Sequence, residues 1–267
     1  MSTQQDLICE QIDNIKMAKV YERPDSLLDV RMHYCPGCGH TTTHKILMEI
    51  VDELQIKNEV IGVAPVGCSV LAYDYLDIDM QQAAHGRATA VATGIKAVQP
   101  DKYVFTYQGD GDLAAIGTAE TIHSANRGEN FLIVFINNGI YGMTGGQMAP
   151  TTPIGEKTAT SPYGRDRATM GAPIDITGLL AQLPGTFYAT RQSVHDAKAV
   201  RKAKKALTKA FQYQKLNKGL CIVEIVSNCP SGWKLTPYES NQWMIEHMMS
   251  LYPPGDVKAP SKEDLQS

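Results

Sequence analysis

Two sets of side chains in this sequence are of the right type and spacing for chemistry. The first is a set of oxygens: Gly109-Asp110-Gly111, followed by Asp112, then Asn137-Asn138 after an interval of 25 residues from Gly111. Asp110 offers one hard anionic oxygen and Asn138 a neutral one, and a backbone carbonyl just beyond Asn138 offers a third. Mg²⁺ prefers octahedral oxygen coordination, with few protein ligands and the remainder from phosphates and water. Gly109 and Gly111 let the backbone approach phosphate oxygens beside a helix N-terminus. The chemistry this suits is a magnesium-bound diphosphate. The second set is of sulfurs. Cys35 and Cys38 lie in Tyr34-Cys35-Pro36-Gly37-Cys38-Gly39-His40, Cys68 in Pro65-Val66-Gly67-Cys68-Ser69, and Cys229 in Ser227-Asn228-Cys229-Pro230. A CxxC on a Pro/Gly turn aims both sulfurs inward, as a redox dithiol, half a zinc site or half an iron–sulfur site. Four turn cysteines suit either a [4Fe–4S] cluster or Cys₄ zinc, and spacing leaves both open.

These residues need elements to hold them. Tyr103–Gln108 and Phe131–Ile136 are apolar runs that predict buried strands, with a helix from about Ala115 to Asn126 between them. Val60–Ala64, Thr186–Thr190 and Leu220–Val226 predict further strands. Ile46, Leu47, Ile50, Val51 and Leu54 recur at helical spacing behind the CxxC, where Thr41–Thr43 are candidate N-caps. His85-Gly86-Arg87-Ala88 opens a small-residue helix to Val98, with Arg87 able to face a phosphate and His85 able to donate to one. Asp175–Leu183 predicts a short helix, and Ser193 or Asp196 can cap a long one to about Leu216. The Arg201–Lys205 basic run on the latter reads as a solvated face. Thr236-Pro237-Tyr238-Glu239 is a capping box for a helix to about Leu251. Strands alternating with helices predict an α/β fold: a doubly wound parallel sheet with helices on both faces. Ligands of such sheets sit beyond the carboxyl ends of the strands, where both polar clusters fall. We expect an N-terminal arm (1–30), one domain (31–252) and a frayed C-terminal tail (253–267). Thr151–Pro173 is expected to form a long loop over the site, offering Lys157, Arg165 and Arg167 to a substrate carboxylate or a partner chain.

Composition narrows the class. The chain has 267 residues, 43% of them hydrophobic, and a net charge of −3, which carries no nucleic-acid signature. No apolar run approaches membrane-spanning length and Met1–Glu22 lacks a signal-peptide core, so a soluble cytoplasmic protein is expected. Six cysteines in a chain this long argue against a disulfide scaffold. Cys221 lies within a predicted strand and reads as core, and Cys9 as a plain thiol.

Taken together, CPGCGH, GCS, GDGD, NNGIYGMTGGQ and the final CP resemble one family over about Cys35–Trp233: the thiamine-diphosphate-binding β subunit of the 2-oxoacid:ferredoxin oxidoreductases. The resemblance implies a thiamine-diphosphate-binding domain of the diphosphate type. It implies that Asp110, Asn138 and the carbonyl of Ile140 hold Mg²⁺, and that Cys35, Cys38, Cys68 and Cys229 hold a [4Fe–4S] cluster. It implies that Val66, Gly67, Cys68, Ser69, His85, Gly86, Arg87, Ala88, Gly109, Gly111, Asp112, Gly142 and Met143 bind the cofactor, Met143 as the apolar wedge beneath it. The implied reaction is oxidative decarboxylation of a 2-oxoacid to acyl-CoA and CO₂, with electrons passed to ferredoxin. The short chain points to a branched-chain acid such as 2-oxoisovalerate, or to 2-oxoglutarate. The family's activating glutamate is expected from an α subunit carrying the pyrimidine-binding domain, and γ and ferredoxin-like δ subunits are expected partners. A non-oxidative thiamine-dependent decarboxylase or lyase would share GDG…NN without the cysteine quartet. A zinc-stabilised binding module would share the quartet without GDG…NN.

Overall fold

The computed structural model describes residues 21–265. The helical tendency expected at Asp6–Val20 and the lone Cys9 lie outside the described residues. Seven strands form the main sheet: β1 (Val60–Ala64), β2 (Asp79–Gln82), β3 (Tyr103–Gly109), β4 (Leu132–Asn137), β7 (Thr186–Ser193), β8 (Leu220–Val226) and β9 (Gly255–Lys258). Their order is β2-β1-β3-β4-β8-β7-β9, parallel throughout except for the antiparallel edge strand β9. Two short strands, β5 (Ile140–Tyr141) and β6 (Gln147–Met148), pair as a separate ribbon.

Burial on both faces explains why β4 and β8 are apolar without alternation. Val134 and Ile136 point into one core with Ile46, Leu47 and Phe211, while Ile133 and Phe135 point into the other with Ala92, Ala125 and Leu180. The first core is covered by helices Gly39–Glu53 and Ala197–Gln214, the second by Ala88–Val98, Thr118–Arg127 and Ile176–Ala181. The doubly wound expectation holds. Among the described residues, no helix is long and apolar enough to cross a membrane.

Several local expectations change. The helix after the CxxC is capped by Cys38, so Thr41–Thr43 lie within its first turns, and Thr43 spends its hydroxyl on the Gly39 carbonyl at 2.9 Å. Lys204 of the basic run bridges to Glu49 and Glu53 on the neighbouring helix at 2.9 and 2.6 Å, so that run is partly a helix–helix contact. The tail expected to fray contributes β9, held by the Tyr188 hydroxyl on Asp256 and by the Lys258 ammonium on the Leu183 carbonyl. Polar anchoring left no apolar periodicity to read there. Within the expected arm, Leu27 is buried and bridges to Leu76, and the Ser26 hydroxyl donates to Asp52 at 2.5 Å, so this stretch packs on its own domain.

Candidate functional site

Four adjacent strands, β1, β3, β4 and β8, end on the same edge of the sheet. Cys68 follows β1, Asp110 follows β3, Asn138 follows β4 and Cys229 follows β8. Parallel pairing therefore assembles residues that lie far apart in sequence.

Asp110 is 2% exposed. Its Oδ1 accepts from the Gly111 N–H at 2.9 Å, and its Oδ2 from the Ile140 N–H at 3.1 Å and the Thr151 hydroxyl at 2.7 Å. Burial pushes its carboxyl up to about 6 against these neutral donors. A buried carboxylate served only by neutral donors is costly, and a bound cation relieves that cost. The Asn138 Oδ1 accepts from the same Ile140 N–H at 3.4 Å, so the two predicted metal oxygens flank one backbone group. A side chain at Gly109 would meet nothing within 4 Å, so that position opens onto free space, whereas one at Gly111 would collide with the Tyr141 ring. The turn after Gly111 is π-type over Asp112–Ile116 before the α-helix resumes at Thr118. Such π-turns are frequent at functional sites.

Asp112 is buried and bonds inward. Its Oδ1 accepts from His85 Nδ1 at 2.8 Å and the Gly86 N–H at 2.5 Å, and its Oδ2 from Gln108 Nε2 at 2.7 Å. Burial raises its carboxyl above the ordinary range. Its place is therefore to hold the His85-Gly86 turn against the end of β3. Gly86 takes φ +75°, and a side chain there would strike Ile116 and Gly117. Ala88 is fully buried at the start of its helix. Arg87 pairs with Glu120 at 2.9 Å and donates to the Gly86 and Ile116 carbonyls, so its guanidinium is engaged by protein groups.

The sulfurs come from three directions. Cys38 caps the helix Gly39–Glu53, and the whole Cys35–Cys38 turn is fastened to the end of β8. Asn228 donates to the Gly37 carbonyl at 3.0 Å, and Cys38 Sγ lies 3.7 Å from the Asn228 carbonyl. Ser231 donates to Cys35 Sγ at 3.0 Å. A side chain at Gly142 would stand 2.9 Å from Cys229 Sγ and 3.7 Å from Cys68 Sγ, so that glycine keeps open the space between them. Burial pushes the thiol of Cys38 up to about 11 and those of Cys68 and Cys229 up to about 12, each raised further by neighbouring cysteines of the set. Backbone amides oppose this: Gly39 and His40 donate to Cys38, Met143 to Cys68 and Gly232 to Cys229. Cys221 is fully buried in β8, as expected of core. Among the described residues, no three His, Cys, Asp or Glu side chains close to the spacing of a single metal ion. Gly67, at φ +134°, shapes the turn that presents Cys68, and Ser69 is buried behind it. Val66 and Met143 are exposed apolar side chains at 42% and 52%.

Three features escaped the sequence reading. Glu224, 1% exposed in β8, accepts from Asn137 Nδ2 at 2.7 Å and from Arg191 Nε at 2.8 Å, fixing the first asparagine of the pair. A lone glutamate inside the apolar run Leu220–Val226 was the available signal. Thr151 holds Asp110 and has no sequence signature. Behind the CxxC, His40 Nδ1 meets the Tyr107 hydroxyl at 3.0 Å and His44 Nε2 the Tyr34 hydroxyl at 2.7 Å, a buried block in which desolvation drives His40 down to about 3. Arg165 corrects an expectation. It is 5% exposed and donates to the carbonyls of Ala149, Pro150, Thr152, Met170, Gly171 and Ala172, so it ties the long loop together and is not free for a substrate. Lys157 and Arg167 remain exposed.

Comparison with known proteins adds independent findings. Residues 65–225 match the family model described as thiamine pyrophosphate enzyme, C-terminal TPP binding domain. The ketoisovalerate oxidoreductase subunit VorA of Methanothermobacter thermautotrophicus is 44% identical over 255 residues, covering 92% of this chain and 54% of that relative. The 2-oxoglutarate synthase subunit KorB of Methanocaldococcus jannaschii is 40% identical over 212 residues, covering 79% of this chain and 73% of the relative. A solved 2-oxoglutarate:ferredoxin oxidoreductase from Magnetococcus marinus, with 2-oxoglutarate, coenzyme A and succinyl-CoA bound, superposes at TM-score 0.69 with 29% identity, covering 81% of this chain and 70% of that one. The chain thus spans about half the length of the VorA relative.

Proposed function

Because the chain belongs to the thiamine pyrophosphate enzymes, through their C-terminal TPP binding domain, and to the VorA/KorB group of 2-oxoacid oxidoreductase subunits, we propose that it is the diphosphate-binding component of a 2-oxoacid:ferredoxin oxidoreductase. The observation that carries this reading is the meeting of the Asp110–Asn138 pair with the four cysteine turns at one edge of one sheet. Thiamine diphosphate, when bound, supplies the electron sink that lets a 2-oxoacid lose CO₂.

The residues of this chain take distinct parts. Asp110, Asn138 and the Ile140 backbone hold Mg²⁺, with Thr151 orienting the Asp110 carboxylate. Gly109 and Gly111 give the diphosphate access to the backbone. Asp112 positions His85 and Gly86 along the same wall, while Arg87 and Ala88 start the helix behind it. Val66, Gly67, Ser69, Gly142 and Met143 line the side shared with the sulfurs. Cys35, Cys38, Cys68 and Cys229 hold a [4Fe–4S] centre, and the amides aimed at three of them favour the thiolate that such a centre requires.

Relatives named for ketoisovalerate and 2-oxoglutarate support a branched-chain or dicarboxylic 2-oxoacid as the substrate. The acyl acceptor is coenzyme A and the electron acceptor ferredoxin, reached through γ and ferredoxin-like δ subunits. The cofactor-activating glutamate comes from an α subunit, and the assembly works in the cytoplasm. The test is to produce the chain with and without its partners, measure iron and sulfide, and assay a panel of 2-oxoacids with coenzyme A and viologen. Turnover by the isolated chain overturns the shared site. A complex that is fully loaded with thiamine diphosphate yet free of iron overturns the electron-transfer reading.

A further inference from the structure

The four sulfurs do not receive the same hydrogen bonds. Cys38 is served by the amides of Gly39 and His40, Cys68 by that of Met143, and Cys229 by that of Gly232. These donors belong to the main chain and follow from the turns themselves. Cys35 receives a side chain: the hydroxyl of Ser231 reaches its Sγ at 3.0 Å across 196 positions of sequence. Among the described residues, this is the one side-chain hydroxyl recorded as donating to the quartet.

Local structure explains how Ser231 gets there. It lies in the short helix Pro230–Trp233, directly after Cys229, which is the N-cap. The helix is closed by the Trp233 N–H on the Cys229 carbonyl at 3.0 Å. One turn therefore carries a sulfur and, two residues on, a hydroxyl aimed at a second sulfur. Gly232, the next residue, cannot gain a side chain without striking Cys229 Sγ at 2.7 Å and Ile140 at 3.0 Å, which fixes the path of the turn around Ser231.

We propose that Ser231 sets the reduction potential of the centre bound by the quartet, through its hydrogen bond to Cys35. The inference rests on the reading that the quartet binds a [4Fe–4S] centre. Reduction adds one electron, supplied by the 2-oxoacid being oxidised in the proposed reaction, which a ferredoxin-type acceptor later removes. The added negative charge spreads over the ligand sulfurs. A hydroxyl that donates to one of them stabilises the reduced state more than the oxidised state, so its removal lowers the potential. No bond to Ser231 forms or breaks, and its proton stays on Oγ. Ser231 is a side-chain contact, so a change of sequence can adjust it without moving the backbone.

The experiment uses the chain assembled with its partner subunits, as wild type, S231A and S231T. Iron and sulfide are measured first, and the centre is then titrated against redox mediators and followed by electron paramagnetic resonance. The expected result is equal loading in all three. S231A should show up to about a tenfold shift toward the oxidised form at fixed potential, about 59 mV for a one-electron couple. S231T, which keeps a hydroxyl, should titrate with the wild type. A loaded S231A with an unchanged midpoint overturns the proposal. So does S231A losing its iron while S231T keeps it, since the hydroxyl would then hold the ligand and not tune it. Absence of iron from the wild type overturns the cluster reading itself, a result separate from either.

Discussion

The oxygen half and the sulfur half of this site are built in opposite ways. Asp110, Asn138 and Ile140 come from one continuous β3–helix–β4 unit, and pairing of neighbouring strands is enough to bring them together. The sulfurs come from the turn before the first described helix, from the end of β1 and from the end of β8, so they meet only when the whole sheet has formed. A contiguous site can be damaged one ligand at a time. A dispersed one depends on the fastenings between distant turns, here the Asn228 amide on the Gly37 carbonyl.

The largest expected effects separate the two halves. Asp110→Asn removes the anionic oxygen and should abolish thiamine-diphosphate-dependent binding of Mg²⁺, read by calorimetry on the complex, while iron content stays at the wild-type level. Cys229→Ser should do the reverse, stripping iron and sulfide while leaving cofactor binding intact. Loss of both functions in either variant would show that the halves are not independent.

Next in size is the network beneath Asn137. Glu224→Ala leaves Arg191, 3% exposed, without its buried partner. Breaking a buried pair from one side costs about 3–5 kcal/mol, and the remaining contact of Arg191 with Asp175 places the expected loss at the lower end. Denaturant unfolding of the isolated chain measures it. Glu224→Gln keeps an acceptor for Asn137 and should lose less. If the two variants are equally unstable, the charge on Glu224 and not its hydrogen bond to Asn137 is what matters.

Gly142→Ala tests the seam between the halves. Its new methyl group would sit 2.9 Å from Cys229 Sγ and 3.7 Å from Cys68 Sγ. Crowding of this kind typically costs about 1–3 kcal/mol. The variant should bind thiamine diphosphate but retain a smaller share of its iron after gel filtration, and unchanged iron would show that the sulfurs have room to part.

How much of this could be read from the sequence follows the same division. The strands that lead into the candidate site were legible because burial on both faces writes them as unbroken apolar runs: β1 and β8 fall at the predicted residues, and β3 and β4 within one position. The edge strands β2 and β9 were not, since both are short, mostly polar and exposed, and no apolar periodicity marks them. Asp110 and Asn138 could be picked out by type and spacing. Their supports could not, because Thr151 and Glu224 act through contacts that only the closed fold creates. Arg165 shows the converse. A charged residue in a long loop suggests a substrate contact, yet this one is consumed by six backbone carbonyls of its own loop and the residues leading into it. The grouping of the cysteines was legible as a set, but not which sulfur meets which donor.

The smallest effect concerns the helix that backs the CxxC turn. Pro237 packs against Gly37, and Thr236 caps the helix in a reciprocal box with Glu239, the threonine hydroxyl accepting from the Glu239 N–H at 3.3 Å and the carboxylate from the Thr236 N–H at 3.0 Å. The hydroxyl and amide of Thr236 hold the Glu239 carboxyl below its ordinary range. A depressed carboxyl stabilises the fold above its unfolded value, and that contribution is lost as pH falls through the folded value. Thr236→Ala should therefore cost about 1 kcal/mol at neutral pH, and less in acid, where the wild type has already lost its share. The sulfur half leans on this helix and the oxygen half does not. Near the midpoint of thermal unfolding, the variant should accordingly release iron before it releases thiamine diphosphate, and simultaneous release would mean that the CxxC turn does not depend on the cap.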